Sequence, residues 1–312
     1  FEVAGVLVRD MDKAAAGGVD RHLLTRDPAA VGRMDADLVV ELLGGLEPAG
    51  SLIAAALERG QGVVTANKAI IARQGPRLEA LALRRNGAIR SAASVGGAVP
   101  CIQAVARLAR GPGLVLIEGV LNGTSNFVLE RLALGQNLAQ AVQDAQRAGL
   151  AEADPSRDLD GRDAADKIAI LARLGFGVHT DPLEIERERI DAQVLAKAAG
   201  ASAPSSIRQV ARARLGADGS VAASVRLEAV APGSPLALAR GEGNALVLTT
   251  REGRHIALHG KGAGRWPTTE AVIGDLLELA RARVGQRAAE IQSAEHTRTN
   301  NVPCPEGALH VA

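Results

Sequence analysis

The stretch VVTANKAI, residues 63–70, reads as an apolar strand, a polar switch and the first turn of an apolar helix. A strand buried on both faces of a parallel sheet has that continuous apolar form. Lys68 stands at the switch. The chain holds 36 Lys plus Arg, yet its lysines are only Lys13, Lys68, Lys167, Lys197 and Lys261. Where a solvated cation suffices, this sequence uses Arg. The ordinary reading of Asn67-Lys68 is a capping Asn beside a solvated Lys. Against it stands the helix macrodipole, which favours anions at the N-terminus. A lysine placed there, at the strand end where parallel sheets bind ligands, points to an anionic or carbonyl ligand.

The surroundings extend the pattern. Residues 1–8, FEVAGVLV, read as a buried strand ending at Arg9-Asp10. DADLVVELLGG carries a strand over 37–43, closed by Gly44-Gly45. Residues 47–60 read as a helix, and 68–87 as a helix interrupted near Gly75-Pro76. AIRSAASVGG, from 88, gives one more short strand. Strands alternating with helices predict an α/β fold, a Rossmann-like doubly wound parallel sheet. Arg9, Gly44, Gly45, Asn67 and Lys68 all fall at carboxyl ends of its strands.

From about residue 100 the rhythm changes. A helix over 100–110, a strand LVLIEGVLNG, a helix from Thr124 and helices near 138–149 and 163–174 precede four strand-like segments. Those are SIRQVARARL, SVAASVRLEAV, ALVLTT and HIALHG. This is a second, α+β domain. GKGAGRWPTTEAVIGDLLELARARV then supplies a Gly-rich loop and a long helix, and residues 296–312 read as a disordered tail.

The second scarce lysine lies in GLAEADPSRDLDGRDAADKIAILARLG, residues 149–175. Asp160 is placed to cap a helix with Asp163 in its first turn. Asp163 and Lys167, four apart, share a helical face. An exposed pair of that kind is worth about 0.3–0.5 kcal/mol. Ile170 and Leu174 continue the face, however, and Ala164, Ala165, Ile168, Leu171 and Ala172 fill the others. A helix apolar nearly all round is buried, and an ion pair at its mouth is costly unless it has a task. The carboxylates of the preceding loop read as a site for a cationic group such as an ammonium. In GVLNGTSNFVLERL, Asn122-Gly123 makes a turn and Thr124 or Ser125 caps a helix whose free N–H groups suit a carboxylate.

Composition narrows the function. A net charge of +1 over 312 residues, with no run of one sign, gives no footprint for nucleic acid. Three Phe, one Trp and no Tyr leave no stacking platform for single strands. No apolar run reaches the roughly 20 residues of a membrane span. Cys101 and Cys304, far apart, read as reduced thiols of a cytoplasmic protein.

In order and spacing, VVELLGG, VVTANKA, SVGGAVP, GVLNGTSNFVL, AEADPSRDLDGRDAADK and GKGAGRWPTTEAV resemble the homoserine dehydrogenase family nearly throughout, up to about residue 285. The resemblance implies reversible NAD(P)H-dependent reduction of L-aspartate 4-semialdehyde to L-homoserine, on the route to threonine and methionine, by a homodimer. It implies a nucleotide-binding domain over 1–98, completed by 261–290, and a catalytic and dimerisation domain over 99–260. Lys167 would be the general acid, Asp163 its holder, and Lys68 a contact to the reacting oxygen or substrate. Glu152 and Asp158 would grip the substrate ammonium, and Gly123 and Thr124 its carboxylate. Arg9, Gly44, Gly45, Asn67, Lys68, Gly262 and Gly264 would face the cofactor. Arg9 with Lys13 favours NADP, although the adjacent Asp10 would suit an NAD ribose.

The sequence departs from the family pattern in three places. No G-x-G-x-x-G occurs, so the chain reads as an N-terminal truncation that lacks a strand and its phosphate loop. Ala92 stands where some relatives carry a Glu that helps hold a monovalent cation, leaving the backbone around Val95, Gly97 and Val99 as the candidate cation site. No room follows residue 285 for an appended regulatory domain. Two other readings compete: a different NAD(P)-dependent dehydrogenase of a small amino or hydroxy acid, and a non-catalytic dimeric Rossmann-like protein.

Overall fold

The computed structural model describes residues 1–191 and 207–299, with residues 286–299 described by their backbone alone. Lys197, Cys304 and residues 300–312 of the expected tail lie outside the described residues, while its first residues, 296–299, are helical rather than disordered. The N-terminal part runs β1 (Val6–Leu7), α1 (Met11–Ala16), β2 (Leu24–Thr25), α2 (Pro28–Arg33), β3 (Leu38–Glu41), α3 (Ala49–Glu58), β4 (Gly62–Thr65), α4 (Lys68–Arg84) and β5 (Ala88–Arg90). Every strand pairing in it is parallel. β1 pairs with β2, and β4 lies between β3 and β5.

The apolar run at 62–65 does what a central parallel strand must: all four residues of β4 are buried. On one face, Ile53 and Leu57 of α3 and Ile70, Leu78 and Leu81 of α4 pack with Val63. On the other, Val64 packs with Val272 and Leu279 of α10 (Arg265–Thr299). Helices on both faces make this sheet doubly wound.

Two local expectations fail here. Residues 1–8 do not form a buried strand. Only Val6 and Leu7 pair, and Phe1 to Ala4 are exposed, because β1 bonds a neighbour on one side only. Helix α4 runs unbroken through Gly75-Pro76. An interior Pro forfeits one backbone bond and costs about 3 kcal/mol, but burial outweighs that. Ile71, Ala72 and Leu78 are buried around it. Gly75 lets the Arg173 guanidinium lie against the backbone, since a Cβ there would sit 2.7 Å from its Nη2.

The second part contains α5 (Cys101–Arg110), β6 (Leu114–Val120), α6 (Gly123–Ala133), α7 (Leu138–Arg147), α8 (Ser156–Leu159), α9 (Arg162–Phe176), β7 (Glu186–Arg187), β8 (Ile207–Leu215), β9 (Val221–Ala229), β10 (Gly243–Thr250) and β11 (His255–Lys261). Its strands form one mixed sheet in the order β11-β10-β6-β8-β9-β7, antiparallel except for β7 against β9. Alternate residues face opposite ways. Ile117, Ala211, Ala213, Val225, Leu246 and Leu248 pack under α5 and α9 in the largest core. On the reverse face Arg212 donates to both oxygens of Glu228, at 2.7 and 2.9 Å, and to Glu118 at 2.9 Å. Helix α9 is the hub. Every residue from Asp163 to Arg173 is buried, and Ile71 and Ala72 of α4 share its core.

Candidate active site

The site lies where the N-terminus of α4 meets the N-terminus of α9. Asn67 caps α4, its Oδ1 accepting the Ile70 N–H at 3.3 Å, so Lys68 is the first helical residue. Its Nζ lies 2.6 Å from Asp163 Oδ1. The second oxygen of the same carboxylate lies 2.7 Å from Lys167 Nζ. Lys167 also donates to the Leu121 carbonyl at 2.6 Å. Asp163 and Lys167 are buried, while the Lys68 side chain is 37% exposed.

Electrostatics follow from that geometry. Burial alone would raise the Asp163 pKa, but the ammoniums of Lys167 and Lys68 outweigh it and hold the carboxyl below its usual range. The Asp163 charge raises the Lys68 pKa against its own burial. Burial raises Asp158, which the Asn122 amide only partly offsets. Burial also pushes the Cys101 thiol, close enough to feel Lys167, up to about 12.

Asn122 ties the parts together. Its Nδ2 donates to Asp158 at 2.7 Å and to Asp163 at 2.8 Å, while its Oδ1 accepts the Ser125 N–H at 2.7 Å. Asn122 is therefore the cap of α6, in place of the expected Thr124 or Ser125. Thr124 Oγ1 instead donates to the Leu150 carbonyl at 2.6 Å. The first-turn N–H groups of Gly123 and Thr124 remain outside the helix ladder. Asp160 does not cap α9 either. Gly161 does so in the left-handed conformation at φ 77°, and Asp160 Oδ1 accepts the Arg162 N–H.

Lys68, Asp158, Asp163 and Lys167 thus converge, from two segments far apart in sequence. Glu152 does not join them and lies exposed on the loop before α8. Sequence reasoning missed Asn244. Buried on β10, it donates to the same Leu121 carbonyl at 3.2 Å. Gly262 makes room for it, since a Cβ there would fall 1.9 Å from the Asn244 Nδ2. Nothing in the sequence around Asn244 signals that role.

A nicotinamide dinucleotide needs open backbone at the strand ends, and the chain provides it. Gly44 and Gly45 take φ 74° and 73°, and an added Cβ at either would meet nothing within 4 Å. Sequence reasoning also missed the buried Glu41, which shapes this turn. It accepts the Leu43 and Gly44 N–H groups at 2.7 and 3.2 Å and also bonds Thr65 and Asn67. Asn67 Nδ2 in turn donates to the Gly45 carbonyl at 2.7 Å. Arg9 is exposed beyond β1, and Asp10 Oδ1 accepts the Lys13 N–H at the start of α1. Gly264 precedes α10 at φ 113°. Around the expected cation ligands Val95, Gly97 and Val99, the Val99 carbonyl accepts the Cys101 N–H. Gly97 packs on Gly262, and Ala92 gives its N–H to Asp275 at 2.7 Å. No cluster of three or more His, Cys, Asp or Glu among the described residues is arranged for a metal.

Two family models match the chain: "Homoserine dehydrogenase" over residues 100–277 and "Homoserine dehydrogenase, NAD binding domain" over 1–91. The homoserine dehydrogenase of Synechocystis sp. is 38% identical over 286 residues, covering 89% of this chain and 66% of its own. That of Corynebacterium glutamicum is 35% identical, covering 92% and 66%. The crystal structure of a homoserine dehydrogenase from Thiobacillus denitrificans superposes with a TM-score of 0.80 at 31% identity, covering 90% of this chain and 66% of that one. The chain spans 66% of the length of these two curated relatives. With models matching across most of its length and the same fold in a solved relative, the chain belongs to the homoserine dehydrogenase family.

Proposed function

We propose that the chain catalyses the reversible NAD(P)H-dependent reduction of L-aspartate 4-semialdehyde to L-homoserine. The observation that carries this reading is one buried carboxylate, Asp163, gripped by two ammoniums, Lys68 and Lys167, beside a second, half-buried carboxylate, Asp158. When bound, the nicotinamide supplies the hydride for reduction and takes it up in the reverse direction. The chain's own groups do the rest. Lys167, held by Asp163 and the Leu121 carbonyl, gives a proton to the carbonyl oxygen as it becomes an alkoxide. Lys68, whose side chain is the more exposed of the two, faces the same oxygen and stabilises its developing charge. Arg in place of Lys167 would hold its proton too tightly to serve.

Asp158 receives the substrate ammonium and the free N–H groups of Gly123 and Thr124 its carboxylate, while Glu152 stands exposed outside that cluster. Arg9, Gly44, Gly45, Asn67, Gly262 and Gly264 hold the dinucleotide. Exposed Arg9 beside Lys13, with Asp10 engaged at the α1 cap, supports NADP over NAD. Residues 1–98 with 261–290 would form the nucleotide-binding unit, and 99–260 the catalytic and dimerisation unit. A homodimer is part of this reading, as the family resemblance implies. Among the described residues no helix is long and apolar enough to cross a membrane, and Cys101 is a free thiol. A cytoplasmic location fits both.

The test is L-homoserine-dependent reduction of NADP and NAD at alkaline pH, with Lys167→Ala as control. Turnover that the control abolishes supports the reading. A folded protein inert with homoserine and both cofactors sinks it.

A further inference from the structure

Arg157 reaches from the single turn of α8 to Asp166 on the buried helix α9, its Nη2 donating to Asp166 Oδ2 at 2.8 Å. The two side chains differ in setting: Arg157 is 46% exposed and Asp166 only 4%. Helix α8 has four residues and no side-chain cap, so it has no stability of its own. Its far end is pinned, with Leu159 buried and its carbonyl accepting the Ile190 N–H at 2.8 Å. Its near end follows the exposed residues Glu152 to Asp154. Arg157 is the charged tie between that near end and the body of the protein.

Charge gives the tie a second effect. Asp163 repels both Asp158 and Asp166, and Asp163 already holds both lysines. Asp166 is opposed by burial, relieved first by Arg157 and more weakly by Arg73 and Lys68 of α4, and pressed by Asp163 on its own helix. With Arg157 in place Asp166 is matched, and Asp158 is the carboxylate left for an incoming ammonium. Without it, Asp166 would lose its principal counter-charge, with only the weaker influence of Arg73 and Lys68 remaining.

We propose that the Arg157–Asp166 pair is a positioning latch. It holds α8 against α9 so that Asp158, beside Asn122, is set to receive the amino group of the substrate, an inference that rests on the amino-acid dehydrogenase reading. Neither residue touches the reacting atoms.

The test combines steady-state kinetics with hydrogen exchange on the same proteins. Arg157→Ala is expected to raise the KM for L-homoserine about tenfold, with kcat and the cofactor KM within about twofold. Arg157→Lys should recover most of the loss. In Arg157→Ala/Asp166→Asn, which leaves no unpaired buried charge, KM should stay near the Arg157→Ala value rather than multiply. Backbone exchange over residues 152–159 should quicken in Arg157→Ala while α9 stays protected. An unchanged KM, or kcat falling in step with a KM change that Lys does not rescue, overturns the latch. So does unchanged exchange, which can be read even if the wild-type chain proves inert with homoserine and the substrate reading fails.

Discussion

Lys68 Nζ lies 2.6 Å from Asp163 Oδ1, joining the first residue of α4 to the second of α9 and so one part of the chain to the other. The contact makes the inter-domain seam and the chemical centre the same place. Any motion that opens the seam moves one ammonium away from the carboxylate it shares with Lys167. A site built this way depends on how two core-packed helices sit against each other.

The general-acid role gives the first prediction. Lys167→Ala should lower kcat by about 10²–10⁴-fold, which is roughly 3–5 kcal/mol of barrier. Lys167→Arg should recover little of it. Circular dichroism must show the native fold in both. An Arg variant with near-normal turnover would remove Lys167 as the proton donor.

Asp163 should matter for stability as well as rate. Its pKa is depressed in the folded protein, so its contribution is present above the ordinary carboxyl value near 4 and lost as the pH falls below it. Asp163→Asn leaves buried Lys167 and half-buried Lys68 without their shared counterion, costing about 3 kcal/mol at pH 7. It should also flatten the acid limb of a Tm-against-pH curve. A variant with wild-type Tm from pH 3 to 8 would contradict the arrangement.

A methyl group at Gly262 would drive Asn244 off the Leu121 carbonyl that orients Lys167. Gly262→Ala is expected to destabilise by about 1–3 kcal/mol through overpacking. Its kcat should fall at least about tenfold, because misplacing a reacting group by about 1 Å costs on the order of 100-fold. Asn244→Gly added to it should return stability but not turnover, which separates the clash from the lost hydrogen bond. Thermal melts and kcat of the two variants decide it.

Asp275 sets a different pH dependence. Burial pushes its carboxyl up to about 6, against the Ala92 N–H it accepts at 2.7 Å, with Glu278 adding to the rise and Arg90 opposing it. A raised carboxyl contributes stability that is full below about 4 and lost as the pH rises through about 6. Asp275→Asn keeps a neutral acceptor at every pH. It should stabilise the protein by about 1–2 kcal/mol at pH 7.5, allowing for solvent screening, and change little at pH 4. Lower stability at both values would show that the carboxylate itself is needed at the Ala92 turn.

Much of this was legible in the residues. Period and composition announced β4, α9 and the parallel doubly wound sheet, because burial on both faces leaves a signature along a single segment. The scarcity of lysine marked Lys68 and Lys167. The caps were less legible. Asn122 and Gly161 took positions expected of their neighbours, since Asn, Asp, Ser and Thr all serve as caps and only local dihedrals choose among them. The unbroken α4 was hidden for another reason, namely that Pro76 breaks a helix only where packing does not hold it.

The sequence by itself determined the buried strand β4 and the alternation of strands and helices around it, which helix is buried and which lysines are unusual, for each of these is written in residues adjacent on one element. Only the tertiary structure decided that one carboxylate serves both lysines, that Leu121 offers its carbonyl to Lys167 and Asn244 together, and that Arg157 reaches Asp166. The reason is physical. A hydrogen bond is set to within a few tenths of an ångström, and between distant segments that distance is fixed by the packing of the cores that carry them.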